Sequence, residues 1–204
     1  MTGARQRAVT RAPWTARVPH TPPMALTATL YHFSIQLADM DRHLYTDFAL
    51  RVAQQPSETG AFMLMRVLAY CLEYEDGIAL TEGVAATDEP AVVVRDLTGR
   101  IIKWIEVGAP DAERVHRGSK LAGRAAVYTH RDPRPLLTQY ADSKIHHAAE
   151  VPVYAFDRDF LTAAADALQR RSKLAVSVTE GQLYLDIDGD NRMSAIHRYS
   201  AAGL

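Results

Sequence analysis

Residues 88–108 read DEPAVVVRDLTGRIIKWIEVG, and this stretch decides the fold class. Two runs rich in Val and Ile flank the turn-forming tetrapeptide DLTG, a pattern that predicts a β-hairpin. Side chains alternate between the faces of a strand, so Trp104 and Glu106 should share one face while Lys103 lies on the other. A buried carboxylate without polar partners costs about 2–7 kcal/mol. Glu106 therefore needs a functional or a structural explanation.

The register of this hairpin decides which residue lies beside Glu106. A turn centred on 98–99 places Ala91 opposite Glu106, whereas a turn centred on 97–98 places Glu89 there. Side chains paired directly across two strands lie about 4.5–5.5 Å apart at Cβ. In either register the DEP segment lies next to Glu106 at one end of the hairpin. Carboxylates on neighbouring segments would form the oxygen-rich pocket that Mg²⁺ prefers.

Strand and helix signals alternate around the hairpin. Strand patterns cover 26–41, 46–54, 125–130, 151–156 and 174–187, and helical patterns cover 57–72, 110–121, 132–141 and 157–171. For the first helix, Ser57 is the expected N-cap, Glu58 suits the first turn, and Gly77 is expected just past the end. The order of elements predicts an α/β (α+β) fold with one mixed central β-sheet flanked by helices.

Composition limits the classes of protein to consider. The 204 residues fit one domain, and 48% apolar and 23% charged residues are typical of a globular protein. No apolar run approaches the ~20 residues that cross a bilayer, so no membrane partner is expected. The single cysteine, Cys71, cannot form an internal disulfide and is compatible with the cytoplasm. Its helical apolar surroundings predict a buried, inert thiol.

The first 23 residues differ from the rest of the chain. They hold four arginines and no acid, so residues 24–204 carry 23 − 4 = 19 basic and 24 acidic side chains, a net charge of −5. This balance does not favour a strong nonspecific nucleic-acid binder, although local basic patches remain compatible with it. Residues 1–23 lack an apolar core typical of a signal peptide. They are expected to be a disordered extension or a mis-assigned start, followed by a single domain over 24–204.

Several segments carry a family resemblance. MALTATLYHFSIQLADMDR (24–42), QPSET (55–59), EDGIALTEG (75–83), DEP (88–90) and WIEVGAPDAER (104–114), together with VYTH, resemble the YaeQ family of bacterial proteins. An acid at the first helix, an acid before one strand of the hairpin and an acid in the next strand also resemble the PD-(D/E)XK nuclease-like fold. The resemblance implies a restriction-endonuclease-like core in a bacterial cytoplasmic protein.

The same resemblance implies a set of site residues. The carboxylates would be those of Glu58, Asp88, Glu89 and Glu106. Of these, Asp88 or Glu89 would hold Mg²⁺ (or Mn²⁺) together with Glu106 and the backbone carbonyl of Val107. The implied reaction is hydrolysis of nucleic-acid phosphodiesters.

The sequence departs from the nuclease motif at the position of its lysine. That position is Gly108, and Lys103 cannot replace it because an offset of three places Lys103 on the opposite strand face. The cation is instead expected from the next helix, where Arg114, Arg117 and Lys120 follow at helical spacing and would contact phosphate. Arg117 is the candidate for the catalytic cation. Arginine is nevertheless a poor general base, since its pKa exceeds about 12.

A second departure lies in the DEP segment. Ala91 follows the proline where the motif has aspartate, so Asp88 or Glu89 must serve instead. Two hypotheses follow. In the first, the protein is a Mg²⁺-dependent phosphodiesterase, and Glu58 supports the site from outside the set of residues that bind the metal. In the second, it is a catalytically degenerate nuclease fold that binds protein or nucleic acid, and Glu106 forms a structural ion pair with an arginine such as Arg114.

Overall fold

The computed structural model describes residues 27–82 and 88–203. The predicted extension over residues 1–23 lies outside the described residues, as does Met24. The elements, in chain order, are β1 Thr29–Asp39, β2 Leu44–Gln54, α1 Gly60–Leu72, β3 Ile78–Leu80, β4 Val92–Arg95, β5 Ile101–Val107, α2 Ala112–Ala122, β6 Ala125–Thr129, α3 Pro133–Ala141, a 3₁₀ helix Ala148–Glu150, β7 Pro152–Ala155, α4 Arg158–Ala167, β8 Arg171–Thr179, β9 Gln182–Ile187, β10 Asp190–Ala195 and β11 His197–Ser200.

The predicted α/β class is confirmed, but the strands form two sheets instead of one central sheet. The first sheet has the order β10-β9-β8-β1-β2, and the second has the order β11-β7-β6-β5-β4-β3. In the second sheet β5, β6 and β7 are parallel, and the hairpin strands extend it antiparallel. The division arises because β8 pairs in parallel with β1, more than a hundred residues away in the chain.

Helices α1 and α4 lie between the two sheets. Their apolar side chains share one buried cluster with both sheets, which includes Phe33 of β1, Leu64 of α1, Ile105 of β5, Leu161 of α4 and Val176 of β8. Eight of the thirteen residues of α1 are buried, because the helix is covered on two sides. The wide apolar face read from the sequence therefore reflects a helix enclosed by sheets.

Helices α2 and α3 cover the other face of the second sheet. A separate buried cluster joins Trp104 of β5 and Val127 of β6 to Val115 of α2 and to Leu137 and Tyr140 of α3. The second sheet is thus buried on both faces, as parallel strands usually are. The alternation of β5 follows directly: Trp104 and Glu106 face α2, while Ile105 and Val107 face α1.

The start of α1 differs from the prediction. Its N-cap is Thr59, not Ser57, and the Thr59 side chain accepts a hydrogen bond from the backbone N–H of Phe62. Helix α1 begins at Gly60, so Glu58 precedes the helix instead of lying in its first turn. The physical reason is that the Glu58 carboxylate is taken up by buried partners, described below.

The end of α1 also differs. The helix ends at Leu72 with Glu73 as its C-cap, so Gly77 is not the residue that follows the helix end. Gly77 instead begins the approach to β3 with φ +85°, in a place where a Cβ would lie 2.0 Å from the carbonyl oxygen of Arg95. This close backbone approach requires glycine.

The hairpin of β4 and β5 has one of its two predicted registers. Val92 pairs with Ile105 and Val93 with Trp104, so continuing the same register past β4 places Ala91, and not Glu89, beside Glu106. An irregularity near the turn, between Val94 and Arg95, shifts the pairing by one residue there.

Candidate functional site

Glu106 is buried and binds two neighbours. One carboxylate oxygen, Oε1, accepts hydrogen bonds from Trp104 Nε1 at 2.6 Å and from Arg114 Nε at 2.6 Å. Burial raises the pKa of Glu106 above its ordinary value, while Arg114, Trp104 and Arg117 act in the opposite direction. The ion pair with Arg114 is the structural alternative expected from the sequence, and it is present.

Arg114 reaches Glu106 because α2 packs unusually close to β5. Asp111 caps the helix and accepts a hydrogen bond from the backbone N–H of Arg114 at 2.7 Å, which fixes the first turn. One turn further, a Cβ at Gly118 would lie 2.3–2.6 Å from the Trp104 indole. Only glycine permits this distance, so the sequence of α2 itself positions Arg114 over the carboxylate.

The DEP segment lies next to this ion pair, as predicted. Arg114 Nη2 donates to the backbone carbonyl of Glu89 at 2.5 Å, so one guanidinium joins the DEP segment to Glu106. The Glu89 carboxylate itself pairs with Arg95 at 2.7 Å and is partly exposed. Asp88 is exposed. The segment therefore contributes a backbone oxygen to the site, whereas its nearest carboxylate pairs with an arginine.

Glu58 belongs to a second buried ion pair. Its oxygens lie 2.9 and 3.2 Å from Nη1 of Arg66, and both side chains are almost fully buried. Arg66 Nη2 donates to the carbonyl of Thr81 at 2.7 Å, and the Thr81 hydroxyl donates to the carbonyl of Pro90 at 2.6 Å. This network reaches the DEP segment from the α1 side of the sheet, whereas the carboxylate of Glu106 lies on the α2 side.

Gly108 occupies the position of the missing motif lysine, and a side chain there would be strained. Gly108 has φ +93°, a conformation that side chains rarely adopt, and a Cβ there would lie 2.9 Å from the Phe62 ring. Glycine at this position is thus required by the packing of β5 on α1. Val107 is buried in the cluster around α1, and the metal role of its carbonyl stays a prediction.

Two further predicted cations lie on the exposed side of α2. Arg117 and Lys120 are exposed, three and six residues after Arg114. Arg117 is near enough to Glu106 to act on the pKa of that carboxyl group. The three cations therefore follow one side of α2, as their spacing predicted. Their contact with phosphate stays a prediction.

A group of histidines beside α2 was not predicted from the sequence. The ring of His116 lies 6.5 Å from that of His146, which in turn lies 4.1 Å from that of His147. The loop before β7 is held against α2 by hydrogen bonds from His116 to the Lys144 carbonyl and from Ser119 to the His146 carbonyl. No local signal could reveal this contact, because its partners lie about thirty residues apart.

The carboxylates near the DEP segment have the partners of structural ion pairs. Glu58, Glu89 and Glu106 each bind a different arginine. Within residues 27–82 and 88–203, no three His, Cys, Asp or Glu side chains form a group that could hold a metal ion. All aspartates and glutamates of the chain fall within these ranges. The donor set present here does not fit Mg²⁺, and the catalytic roles assigned to these residues and to Arg117 stay predictions.

No helix among the described residues has the length and apolar character needed to cross a membrane.

Comparison with known proteins shows the family. The family model described as "YaeQ protein" matches residues 24–195. "Uncharacterized protein YaeQ" of Escherichia coli K12 is 31% identical over 82% of this chain and 93% of that protein. The corresponding Salmonella typhi protein is 31% identical over 79% of this chain and 90% of that protein.

Two solved structures agree in fold. The YaeQ protein of Pseudomonas syringae superposes with a TM-score of 0.77 at 29% identity, covering 84% of this chain and 95% of that one. The YaeQ protein of Xanthomonas axonopodis pv. citri superposes with a TM-score of 0.78 at 28% identity, covering 84% and 98%. The chain belongs to the YaeQ family.

Proposed function

We propose that this protein binds nucleic acid through the exposed cations of α2, on a nuclease-like fold that has lost hydrolysis. The observation that carries the loss of hydrolysis is the pairing of Glu106 with Arg114. The acid that the PD-(D/E)XK resemblance assigns to the metal accepts two short hydrogen bonds on one oxygen, from Arg114 and from Trp104. These two protein donors stabilise the carboxylate without a metal ion.

Electrostatics opposes a divalent cation at this position. A metal ion bound to Glu106 would be a near neighbour of the Arg114 guanidinium, whose Nε lies 2.6 Å from the carboxylate. Charges of +2 and +1 that are about 5 Å apart repel by roughly 6–7 kcal/mol at an effective dielectric constant near 20. Arg114 would have to leave, but it also donates to the Glu89 carbonyl. The competing hypothesis, a Mg²⁺-dependent phosphodiesterase, requires that rearrangement.

The exposed cations supply the binding surface. Arg117 and Lys120 extend outward from Arg114 along one side of α2. Arginine can donate two parallel hydrogen bonds to a phosphate, and lysine adds a mobile point charge. Two phosphate contacts predict modest affinity with a slope of log affinity against log salt of about −2. This modest surface is consistent with the net negative charge of the chain.

The proposal includes the domain and the location of the protein. We take residues 24–204 as a single domain, which is supported by one apolar cluster shared between both sheets and α1. We also propose a cytoplasmic location, supported by the buried, unpaired thiol of Cys71.

The test combines binding and cleavage on the same samples. Fluorescence anisotropy measures the affinity for short labelled DNA and RNA, both single-stranded and double-stranded, in the presence of a chelator and in the presence of Mn²⁺. Gel electrophoresis of the same mixtures measures cleavage. We expect binding in chelator and no cleavage in Mn²⁺. Arg117→Gln with Lys120→Gln should weaken binding about tenfold or more and reduce the salt slope by about 2.

The control is Arg100→Gln, which removes an exposed cation from the hairpin turn at the far end of β5. It should change binding little. Equal binding by the Arg117/Lys120 double variant and the wild type would overturn the nucleic-acid assignment. Cleavage that needs Mn²⁺ and is lost in Glu106→Gln would overturn the loss of hydrolysis and favour the phosphodiesterase.

A further inference from the structure

A cleft of about 790 Å³ lies at the ends of the parallel strands, away from α2. His130 and Arg131 line it directly after β6, and Arg158 lines it as the first residue of α4, two residues beyond the end of β7. Ser57 and Thr59, just before α1, form another side. In open α/β sheets, ligands bind in the crevice outside the carboxyl ends of parallel strands. The volume is in the range of small-molecule sites, about 300–1,000 Å³.

The charges of this cleft are positive and uncompensated. Among the described residues, Arg131 and Arg158 take part in no ion pair. The cleft also includes two acids, but each is already neutralised. Nε and Nη2 of Arg134 donate hydrogen bonds to the carboxylate of Asp132 at 2.8–3.1 Å. The carboxylate of Glu58 pairs with Arg66.

The backbone adds to the same positive potential. Helix α1 begins after Thr59 and helix α4 begins at Arg158, so the N-termini of two helices meet the cleft. The partial positive charge at the start of α1 favours an anion, although one of its N–H groups, that of Phe62, already donates to the Thr59 side chain. At α4 the N-cap Asp157 accepts a hydrogen bond from the backbone N–H of Asp159, and these two carboxylates offset the positive end of that helix. The hydroxyl of Ser57 offers a further hydrogen bond, whereas that of Thr162 already donates to the carbonyl of Arg158.

His130 lines the cleft with a ring that is only partly buried. Its Nδ1 is shielded from solvent and makes no hydrogen bond with any residue in the described part of the chain, so the ring nitrogen that can meet a ligand in the cleft is Nε2. Burial lowers the pKa of His130, and Arg131 and Arg158 lower it further, so the ring is neutral near pH 7. A neutral imidazole can donate one hydrogen bond to a bound oxygen. An anion held by the two arginines would raise the pKa of the same ring.

We propose that this cleft binds the phosphate group of a small phosphorylated molecule. Arg131 and Arg158 bind the phosphate dianion, His130 donates a hydrogen bond, and the Phe62 ring lines the part that receives the body of the ligand. Two cations match two negative charges, and Arg–phosphate contacts are frequently bidentate. The site is separate from the nucleic-acid surface proposed on α2 and does not depend on it.

The test titrates the full-length protein with inorganic phosphate and, separately, with adenosine 5′-monophosphate. Calorimetry measures affinity, and NMR of the ring signals of labelled protein measures the pKa of His130. We expect a dissociation constant below about 1 mM for at least one of the two probes and a rise in the pKa of His130 at saturation. Arg131→Gln and Arg158→Gln should each weaken binding about tenfold or more.

The outcomes separate the sources of phosphate and the two proposals. Tighter binding of the nucleotide assigns an organic phosphate monoester, and equal binding of inorganic phosphate assigns the free ion; both support the site. No binding of either probe by folded wild type overturns it, as does undiminished binding by the folded arginine variants. Arg117→Gln with Lys120→Gln, which disrupts only the α2 surface, should leave phosphate affinity and the His130 titration unchanged.

Discussion

Replacing Arg114 with Met tests the structural role of the ion pair at the candidate site. The Glu106 side chain is 5% exposed and that of Arg114 is 22% exposed, with 2.6 Å between Nε and Oε1. Removing one partner of a buried pair costs about 3–5 kcal/mol, because the other charge stays buried without compensation. Since Arg114 is about one-fifth exposed, we expect the lower end, about 3 kcal/mol.

The loss should depend on pH in a defined direction. Without Arg114 the pKa of Glu106, already raised by burial, rises further. A carboxyl group with a raised pKa in the folded state contributes stability that is fully present below its unfolded pKa and is lost as pH rises through the folded pKa. The variant therefore gains stability relative to wild type as pH falls toward 4.5, the ordinary value for glutamate.

Urea unfolding at a slightly alkaline pH and at a slightly acidic pH measures both the loss of stability and its dependence on pH. With a urea dependence of about 1–3 kcal/mol per molar, a 3 kcal/mol loss lowers the unfolding midpoint by roughly 1–3 M. Arg100→Met is the control, because its partner Asp96 lies 3.5 Å away and the arginine is 77% exposed. An Arg114→Met variant within about 0.5 kcal/mol of wild type at both pH values would refute the reasoning.

Two substitutions and one labelling experiment test the packing of the described residues. Gly118→Ala should destabilise by about 1–3 kcal/mol and change the fluorescence of Trp104, since a Cβ would lie 2.3 Å from its indole. Gly108→Lys restores the motif lysine, yet it should destabilise by about 1–3 kcal/mol and confer no cleavage, because φ is +93° and Phe62 lies 2.9 Å away. Cys71 should react with a thiol reagent only on unfolding, because burial raises its pKa to about 12.

Each of the two substitutions has a matched comparison. Gly60→Ala should be tolerated, because a Cβ there meets only Ala165 at 3.6 Å. Ala109→Lys adds the same charge as Gly108→Lys at an exposed neighbouring position. A stable Gly118→Ala protein, Mn²⁺-dependent cleavage by Gly108→Lys, or fast labelling of native Cys71 would each contradict the corresponding prediction.

Local patterns in the sequence predicted much of the fold. The alternation in β5 was sufficient to place Trp104 and Glu106 on one face, and turn residues were sufficient to predict the hairpin. The ion pair of Glu106 with Arg114 could also be predicted, because a buried carboxylate needs a cation and the next helix offers one. These predictions succeeded because side chains on one face recur every two residues in a strand and every 3.6 residues in a helix, and because the partners lie close together in the chain.

The features of the fold and the site that the sequence did not reveal depend on contacts between distant segments. β10 was missed because DNRMSA is too polar to give a strand signal, although it pairs with β9. The partner of Glu58 was missed because the loop before α1 folds back onto Arg66, eight residues later. One signal was available: Arg66 is a lone charge within the apolar run MLMRVLA, and such a residue needs a buried carboxylate.

The most direct test of the account compares thermal unfolding of wild type and Glu106→Gln with and without Mn²⁺. A metal held by Glu106 at a hundred times its dissociation constant would stabilise the wild type by about 2.7 kcal/mol, or roughly 5–11 °C. Because Arg114 already occupies this carboxylate, we expect any effect of Mn²⁺ to be equal in the two proteins. A rise in the unfolding temperature of wild type that Glu106→Gln loses would contradict the account.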